Sequence, residues 1–317
     1  MNLVRGLSAL RERDRGAVVT IGTFDGLHIG HRALIRATLA RAQRESRPAA
    51  MVTFEPMPRE VLRPDAPPER LTSFRERWRL LEHSGLDLLL VLNFSASLRA
   101  LSGDAFLKLL REALHFSGVV VGHDFRYGRH GEADAAALEA AGRREGFAVE
   151  IVPPVLVDGR RASSTEIRAA LWRADFATAQ RLLGRPYGIR GRVARGQQLG
   201  RTLGFPTANL RLHDRRTPLA GIYAVRVHGV ADHPWPAVAS LGTRPTVDGK
   251  EFWLESFLFD FSGDLYGREI EVEFVARLRD ELRFESLDAL VEQMKRDAVE
   301  ARACLGVPAP APAAPVH

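Results

Sequence analysis

The sequence predicts an α/β protein in two parts: a doubly wound, mostly parallel sheet of Rossmann-like type, then a small antiparallel β-barrel or sandwich with a terminal helix. Three observations carry this. Up to about residue 183 short apolar runs alternate with helical stretches, the pattern of right-handed βαβ crossovers. After residue 184 strand-like segments follow one another, separated by glycine and proline. The length, 317 residues, exceeds what one core usually serves.

In the first part the apolar runs place strands over 17–21, 50–54, 86–94, 118–122 and 147–152. Helices fall around 30–46, 72–83, 103–115 and 134–145, with Leu34, Ile35 and Leu39 on the apolar face of the first. In the second part strands are expected over 189–194, 222–227, 237–241, 252–261 and 269–275. Ser286 can cap a closing helix that runs to Ala303, with Leu287, Leu290, Val291, Met294 and Ala298 at helical spacing. That helix should pack on the barrel. The expected domains are therefore 1–183 and 184–305, followed by a Pro/Ala-rich tail, 306–317, that can bury little.

Composition narrows the function class. A net charge of +6 and a pI near 10.0 raise the question of nucleic acid. Yet residues 1–183 hold 27 basic and 22 acidic groups, residues 184–317 hold 18 and 17, and no basic run occurs. Of the 45 basic residues only Lys108, Lys250 and Lys295 are lysine, a broad arginine bias rather than a patch. One cysteine, Cys304, rules out an internal disulfide framework. No apolar run approaches the roughly 20 residues of a membrane span. A cytoplasmic protein without nucleic-acid or membrane partners is the expectation.

The stretch Gly22-Thr-Phe-Asp-Gly-Leu-His-Ile-Gly-His31 joins the first strand to the first helix. It puts backbone N–H groups and a helix dipole at the carboxyl edge of the sheet, where phosphate is stabilised. His28 and His31, three apart, can turn both rings toward one phosphate and donate to charge that builds during nucleotidyl transfer. A glycine turn with two incidental histidines is the plain alternative, and His-x-x-His alone is an incomplete metal site.

The longer string Gly-x-Phe-Asp-Gly-x-His-x-Gly-His resembles the FMN adenylyltransferase domain of the bacterial bifunctional riboflavin kinase/FAD synthetase family, within the nucleotidyltransferase superfamily. Gly122-His-Asp-Phe-Arg-Tyr-Gly128 is similar to that family's flavin-proximal loop, and Ser163-Ser-Thr-Glu-Ile-Arg168 to its phosphate loop. Ser163 and Glu166 also make a capping box, and a capped helix start with Arg168 one turn in suits phosphates equally. The resemblance implies ATP at Gly22, Phe24, Asp25, Gly26, His28, Gly30, His31, Ser164, Thr165 and Arg168. It implies flavin at Phe54, Asp124, Phe125 and Arg126. Three positions depart from the family pattern: Met57 stands where a histidine is usual, Ala133 where glycine is, and Ala162 where a branched residue is.

In the second part, glycines at 191, 196, 200 and 204 lead into Phe-Pro-Thr-Ala-Asn209. Read alone, this is either a glycine-rich hairpin or a loop over phosphates with Thr207 and Asn209 as hard oxygen ligands for Mg²⁺. The whole string resembles the riboflavin kinase signature. Gly221-Ile-Tyr223, Gly242-Thr-Arg-Pro-Thr246, Glu255-Ser-Phe-Leu-Phe-Asp260, Asp264-Leu-Tyr-Gly267 and Leu278-Arg-Asp-Glu-Leu-Arg-Phe284 follow in the family's order.

The resemblance implies a catalytic base at Glu255, ATP at Gly191, Gly196, Gly200, Arg201, Thr207 and Asn209, and flavin near Arg279 and Phe284. Alternation of Trp253, Glu255 and Phe257 sets that carboxylate among bulky neighbours, where it needs a partner or a task. The expected chemistry is riboflavin to FMN in 184–305 and FMN to FAD in 1–183, each with ATP and Mg²⁺. Two rivals are a class I aminoacyl-tRNA synthetase fragment, which expects lysines this chain lacks, and a flavin-binding protein that has lost one activity.

Overall fold

The structure is a computed structural model and describes residues 1–195, 205–212, 216–246 and 249–308, with backbone alone at 244–246 and 249–250. Contacts divide the chain into two compact units, Met1–Glu166 and Ile167–His317.

The first unit is built on six parallel strands: β1 (Asn2–Arg5), β2 (Val18–Ile21), β3 (Ala49–Phe54), β4 (Leu88–Leu92), β5 (Gly118–Gly122) and β8 (Ala148–Val152). Their order is β1-β4-β3-β2-β5-β8. Strands β2, β3 and β4 are buried throughout, as a sheet covered on both faces requires. The chain leaves β2 toward β3 and β4 and later returns to β2's other side as β5. This reversal opens a crevice at the carboxyl end of β2, where α/β sheets bind ligands. Helices α1 (Ile29–Glu45), α3 (Phe74–Glu82), α5 (Gly103–Leu114) and α6 (Ala135–Glu145) lie close to the predicted spans. Short additions were not anticipated: β1, helices α2 (Pro58–Leu62) and α4 (Ala96–Arg99), and hairpins β6–β7 (Arg126–Tyr127, Ala133–Asp134) and β9–β10 (Leu156–Val157, Arg160–Arg161).

The second unit begins inside α7 (Ser164–Trp172), continues through α8 (Phe176–Leu183) and forms a closed six-stranded barrel. Its strands are β11 (Gly188–Ala194), β12 (Thr207–Arg211), β13 (Gly221–His228), β14 (Trp235–Thr246), β15 (Gly249–Leu258) and β16 (Glu269–Arg279). All the barrel pairings are antiparallel, in the order β11-β12-β15-β14-β13-β16. Tyr223, Phe274 and Phe176 of α8 pack in edge and stacked contacts with centroids 5.1–6.2 Å apart.

The closing helix α9 (Leu287–Leu305) is capped by Ser286, whose Oγ accepts from Ala289 N at 3.2 Å. Its buried Ala301 joins Ala224 and Phe259 in a cluster flanked by Val238, Phe257, Ala276 and Ala298, so the helix covers part of the barrel's outer wall. Strand β12 is not among the predicted strands: Thr-Ala-Asn-Leu-Arg carries no clear alternation, and the glycine string before it fits a hairpin and a phosphate loop alike. Of the tail, 309–317 lies outside the described residues.

Candidate active sites

The loop between β2 and α1 is strained and held from behind. Phe24 and Leu27 take positive φ (51° and 43°), a region that costs non-glycine residues of order 1–3 kcal/mol each. The carboxylate of Asp25, 2% exposed, accepts from Leu71 N (3.1 and 3.2 Å), Thr72 N (3.0 Å) and Thr72 Oγ1 (3.2 Å), while Gly26 N donates to that same hydroxyl at 2.9 Å. Asp25 thus latches the loop to the segment before α3. From α3 the buried Arg77 donates to Thr23 O at 2.7 Å and to Glu55 at 2.5 Å, and Glu55 and Glu60 share Arg70 at 2.5 Å. Met57, at the histidine position, is buried at the start of α2, where Glu60 Oε2 accepts from its N–H at 2.9 Å.

His28 caps α1: its Nδ1 accepts from His31 N at 3.3 Å, which in the neutral ring leaves the proton on Nε2. The two imidazoles stack with centroids 3.6 Å apart, and Phe24 meets His31 edge-on at 5.1 Å. Burial, then the nearby His28 and Arg77 charges, hold the His31 imidazole well below its usual pKa. Its Nδ1 is buried and has no hydrogen-bond partner among the described residues. A Cβ on Gly30 would stand 3.1 Å from Ala162 O and from the His28 ring, so glycine lets α1 approach the chain just ahead of α7. There Ser164 Oγ donates to Asp25 O at 2.8 Å, and Ser163 Oγ accepts from Glu166 N at 3.2 Å, half of the expected capping box. Thr165 is exposed, and Arg168 is buried one turn further along α7.

A cavity of about 530 Å³ lies beside this loop, lined by Ile21 at the end of β2, Phe54 at the end of β3, and Phe94, Phe106, Phe125, Arg126 and Tyr127. Phe125 and Tyr127 stack at 5.4 Å, and Phe54 meets Phe94 edge-on at 5.8 Å. Three of the four predicted flavin residues line it. The fourth, Asp124, does not, and is paired with Arg161 of the β9–β10 hairpin. Burial alone would raise its carboxyl pKa, but the hydrogen bond and charge of Arg161 bring it below the usual value. Phe94 and Phe106 were missed because their apolar character marks core as readily as site, while Tyr127 falls within the 122–128 motif likened to the flavin-proximal loop.

In the second unit a cavity of about 390 Å³ opens between the barrel wall and α9. It gathers Thr207 of β12, Glu255 of β15, Arg279 of β16, and Phe284, four predicted residues from three separate motifs, with Phe257 of β15 beside them. Strand register puts Asn209 opposite Glu255 on one side and Ser240 opposite it on the other. Thr207 Oγ1 donates to Asn209 Oδ1 at 3.4 Å. Gly191 lies in β11, while Gly196, Gly200 and Arg201 lie outside the described residues.

Arg279 lines the cavity and is anchored at its root. Its guanidinium donates to both oxygens of Asp297 (2.8 and 2.6 Å) and to Asp280 O (2.8 Å). Asp297 and Glu281, both in the cavity wall, were missed. Asp297 carried a signal, since it follows Leu290 and Met294 at helical spacing on the apolar face. Burial raises the Glu281 carboxyl pKa, with Arg279 opposing.

Residues 10–166 match the FAD synthetase family model and residues 183–305 the riboflavin kinase model. The chain is 46% identical over 306 residues to a bifunctional riboflavin kinase/FMN adenylyltransferase of Pseudomonas fluorescens, covering 96% of this chain and 97% of that one. It is 42% identical over 313 residues to the protein of the same description from Escherichia coli K12, covering 98% and 100%. A solved Streptococcus pneumoniae structure, described as a macrolide-efflux protein, matches with a TM-score of 0.77 at 34% identity, covering 93% of this chain and 97% of that one. Among the described residues no helix is long and apolar enough to cross a membrane. With both domain models matched in order and both relatives aligned almost end to end, the chain belongs to the bifunctional riboflavin kinase/FMN adenylyltransferase family, making FMN from riboflavin and ATP and FAD from FMN and ATP.

Proposed function

We propose that the two reactions are carried out at the two cavities by the residues just described, adenylyl transfer within 1–183 and riboflavin phosphorylation within 184–305, in the cytoplasm. The observation that carries the reading is the convergence of Thr207, Glu255 and Phe284, distant in sequence, on one cavity of the barrel wall.

At the first site the FMN ring system fills the aromatic cavity between Phe54 and Phe125, with Arg126 at its wall. The FMN phosphate oxygen attacks the α-phosphorus of ATP directly, the new P–O bond forming as the bond to the β-phosphate oxygen breaks, and pyrophosphate leaves. No side chain in the loop is placed as a covalent nucleophile. His28 Nε2–H and His31 donate to the charge that builds on the phosphates, and the start of α1 adds a fixed positive field. Ser164, Thr165 and Arg168 at the start of α7 hold the outgoing pyrophosphate. Asp25 and Arg77 keep the loop in that geometry rather than touching the nucleotide.

At the second site Glu255 takes the proton from the riboflavin 5′-hydroxyl as its oxygen bonds to the γ-phosphorus, and ADP leaves. Thr207 and Asn209 supply two neutral hard oxygens side by side on β12. Among the described residues there is no group of three acidic, histidine or cysteine side chains that could hold a metal by itself. That donor set suits Mg²⁺, which binds mainly through substrate phosphates and needs one or two protein oxygens. When bound, Mg²⁺ supplies charge neutralisation on the nucleotide phosphates.

The test is a time course of the purified chain with riboflavin, ATP and Mg²⁺, flavins separated by chromatography. FMN should rise and then convert to FAD. FMN that accumulates without FAD would overturn the adenylyltransferase half, and an unchanged riboflavin peak the kinase half.

A further inference from the structure

The segment joining β16 to α9 supplies Glu281, Leu282 and Phe284 to the wall of the kinase cavity. Its conformation is set at its root. Arg279, the last residue of β16, donates two parallel hydrogen bonds to Asp297 and a third to the carbonyl of Asp280, and its guanidinium lies 5.9 Å from the centroid of the Phe284 ring. Gln293, one turn earlier on α9, donates to Asp297 Oδ1 at 2.8 Å. One bidentate pair therefore ties the strand end, the start of the segment and the aromatic side chain to the helix.

Asp297 itself is 4% exposed, on a helix face shared with Leu290, Met294 and Ala301. A carboxylate there carries a desolvation cost that an apolar side chain of similar size avoids, so bare stability gives no reason for it. A fixed fork geometry does, because an Arg–carboxylate pair sets orientation as well as contact.

We propose that Asp297 is a positioning residue for riboflavin: through Arg279 it fixes the 280–284 segment and the Phe284 ring against the place where the flavin enters, and so α9 is part of the kinase site. The inference rests on the reading of this cavity as the riboflavin pocket. Arg279 acts here by holding Phe284, not as a ligand of the flavin.

The test uses the full chain. Asp297→Asn should raise the riboflavin KM about tenfold while kcat and the KM for ATP stay within about twofold, the pattern of lost ground-state binding for one substrate. FAD formation from supplied FMN should not change. Asp297→Glu should recover part of the loss, because it keeps the charge. If Asp297 works through Arg279, the double variant with Arg279→Met should be no worse than Arg279→Met alone, a non-additivity that independent contributions do not give.

Should Asp297→Asn not fold, Asp297→Glu and Arg279→Lys report the same KM split in a milder form. A riboflavin KM unchanged within twofold, or equal rises for riboflavin and ATP together with a lower melting temperature, would overturn the proposal. Val238→Trp, which fills the cavity, separates the two ideas. If it still phosphorylates riboflavin, the pocket reading and the proposal fall together. If it is inactive while Asp297→Asn is normal, only the positioning role falls.

Discussion

The two candidate sites take the same nucleotide and are built in opposite ways. In the first unit the polar work falls to a loop in which Phe24 and Leu27 hold positive φ, pinned from outside by Asp25 and Arg77. In the proposed kinase site it falls to side chains on regular strands, with Asn209 set opposite Glu255 by antiparallel register and Thr207 and Glu255 lining the cavity beside α9. The difference follows from the chemistry. Adenylyl transfer from a ready-made phosphate nucleophile needs charge stabilisation, which backbone N–H groups and a helix start provide. Phosphorylation of an alcohol needs a base placed on the hydroxyl, which a side chain on a rigid strand provides. A strained loop depends on its supports, so substitutions behind the first site should disable it without touching residues near substrate. At the second site the ligand-facing residues themselves should dominate.

The largest expected effect is at Arg77. Arg77→Met removes the buried guanidinium that holds Thr23 O and the half-buried Glu55, and losing hydrogen bonds to a charged group costs about 1.5–3 kcal/mol. Thermal unfolding followed by a probe in residues 1–166 should shift down strongly while riboflavin phosphorylation at 25 °C persists. An unchanged melting curve would show that the loop stands without its support. Asp25→Asn comes next. An amide cannot accept from Leu71 N, Thr72 N and Thr72 Oγ1 in the same way, and adenylylation should fall about a hundredfold at saturating FMN, with a far smaller change in kinase rate.

Phe54→Leu should raise the KM for FMN about tenfold by removing an aromatic wall from the cavity, with little change in kcat. Equal affinity for FMN would move the flavin out of this cavity.

The smallest effect is on pH. The folded-state pKa of His31 is lowered, so the unfolded chain binds its proton first, near pH 6.5. The resulting stability is present above that value and is lost as pH falls, by at most about 1.4 kcal/mol per pH unit. The melting temperature of the native chain should therefore drop between pH 7 and pH 5.5, and His31→Ala should show a shallower drop.

Much of this was legible in the sequence, and the exceptions share a cause. Strand β5 is found at the predicted 118–122, and α5 starts at the predicted Gly103, because uninterrupted apolar runs and a capping Ser102 leave few alternatives. The histidine loop could be found because a strand precedes it and a helix follows, whereas Glu255 was marked by the family resemblance, with its bulky alternating neighbours in support. What escaped were charged residues at apolar spacing: Arg77 sits between Phe74, Trp78 and Leu81 on the inner side of α3, and Asp297 follows Leu290 and Met294 on α9. A single charge on an amphipathic helix reads as solvent-facing unless its position in the turn is counted. Strand β12 escaped for a different reason, since it is paired with β11 and β15 rather than formed by its own pattern. The aromatic wall of the first cavity is likewise assembled from the end of β3, the segment after β4, α5 and the segment running into β6, a convergence that spacing along the chain does not encode.

The most direct test of the division of labour is one paired assay on two variants of the full chain, Glu255→Gln and His31→Ala, each given riboflavin with ATP and, separately, FMN with ATP. Glu255→Gln should lose FMN formation by about 10²–10⁴-fold and keep FAD formation from FMN. His31→Ala should keep FMN formation and lose FAD formation by about 10²–10³-fold. Equal loss of both activities in either variant would contradict the assignment of one reaction to each site.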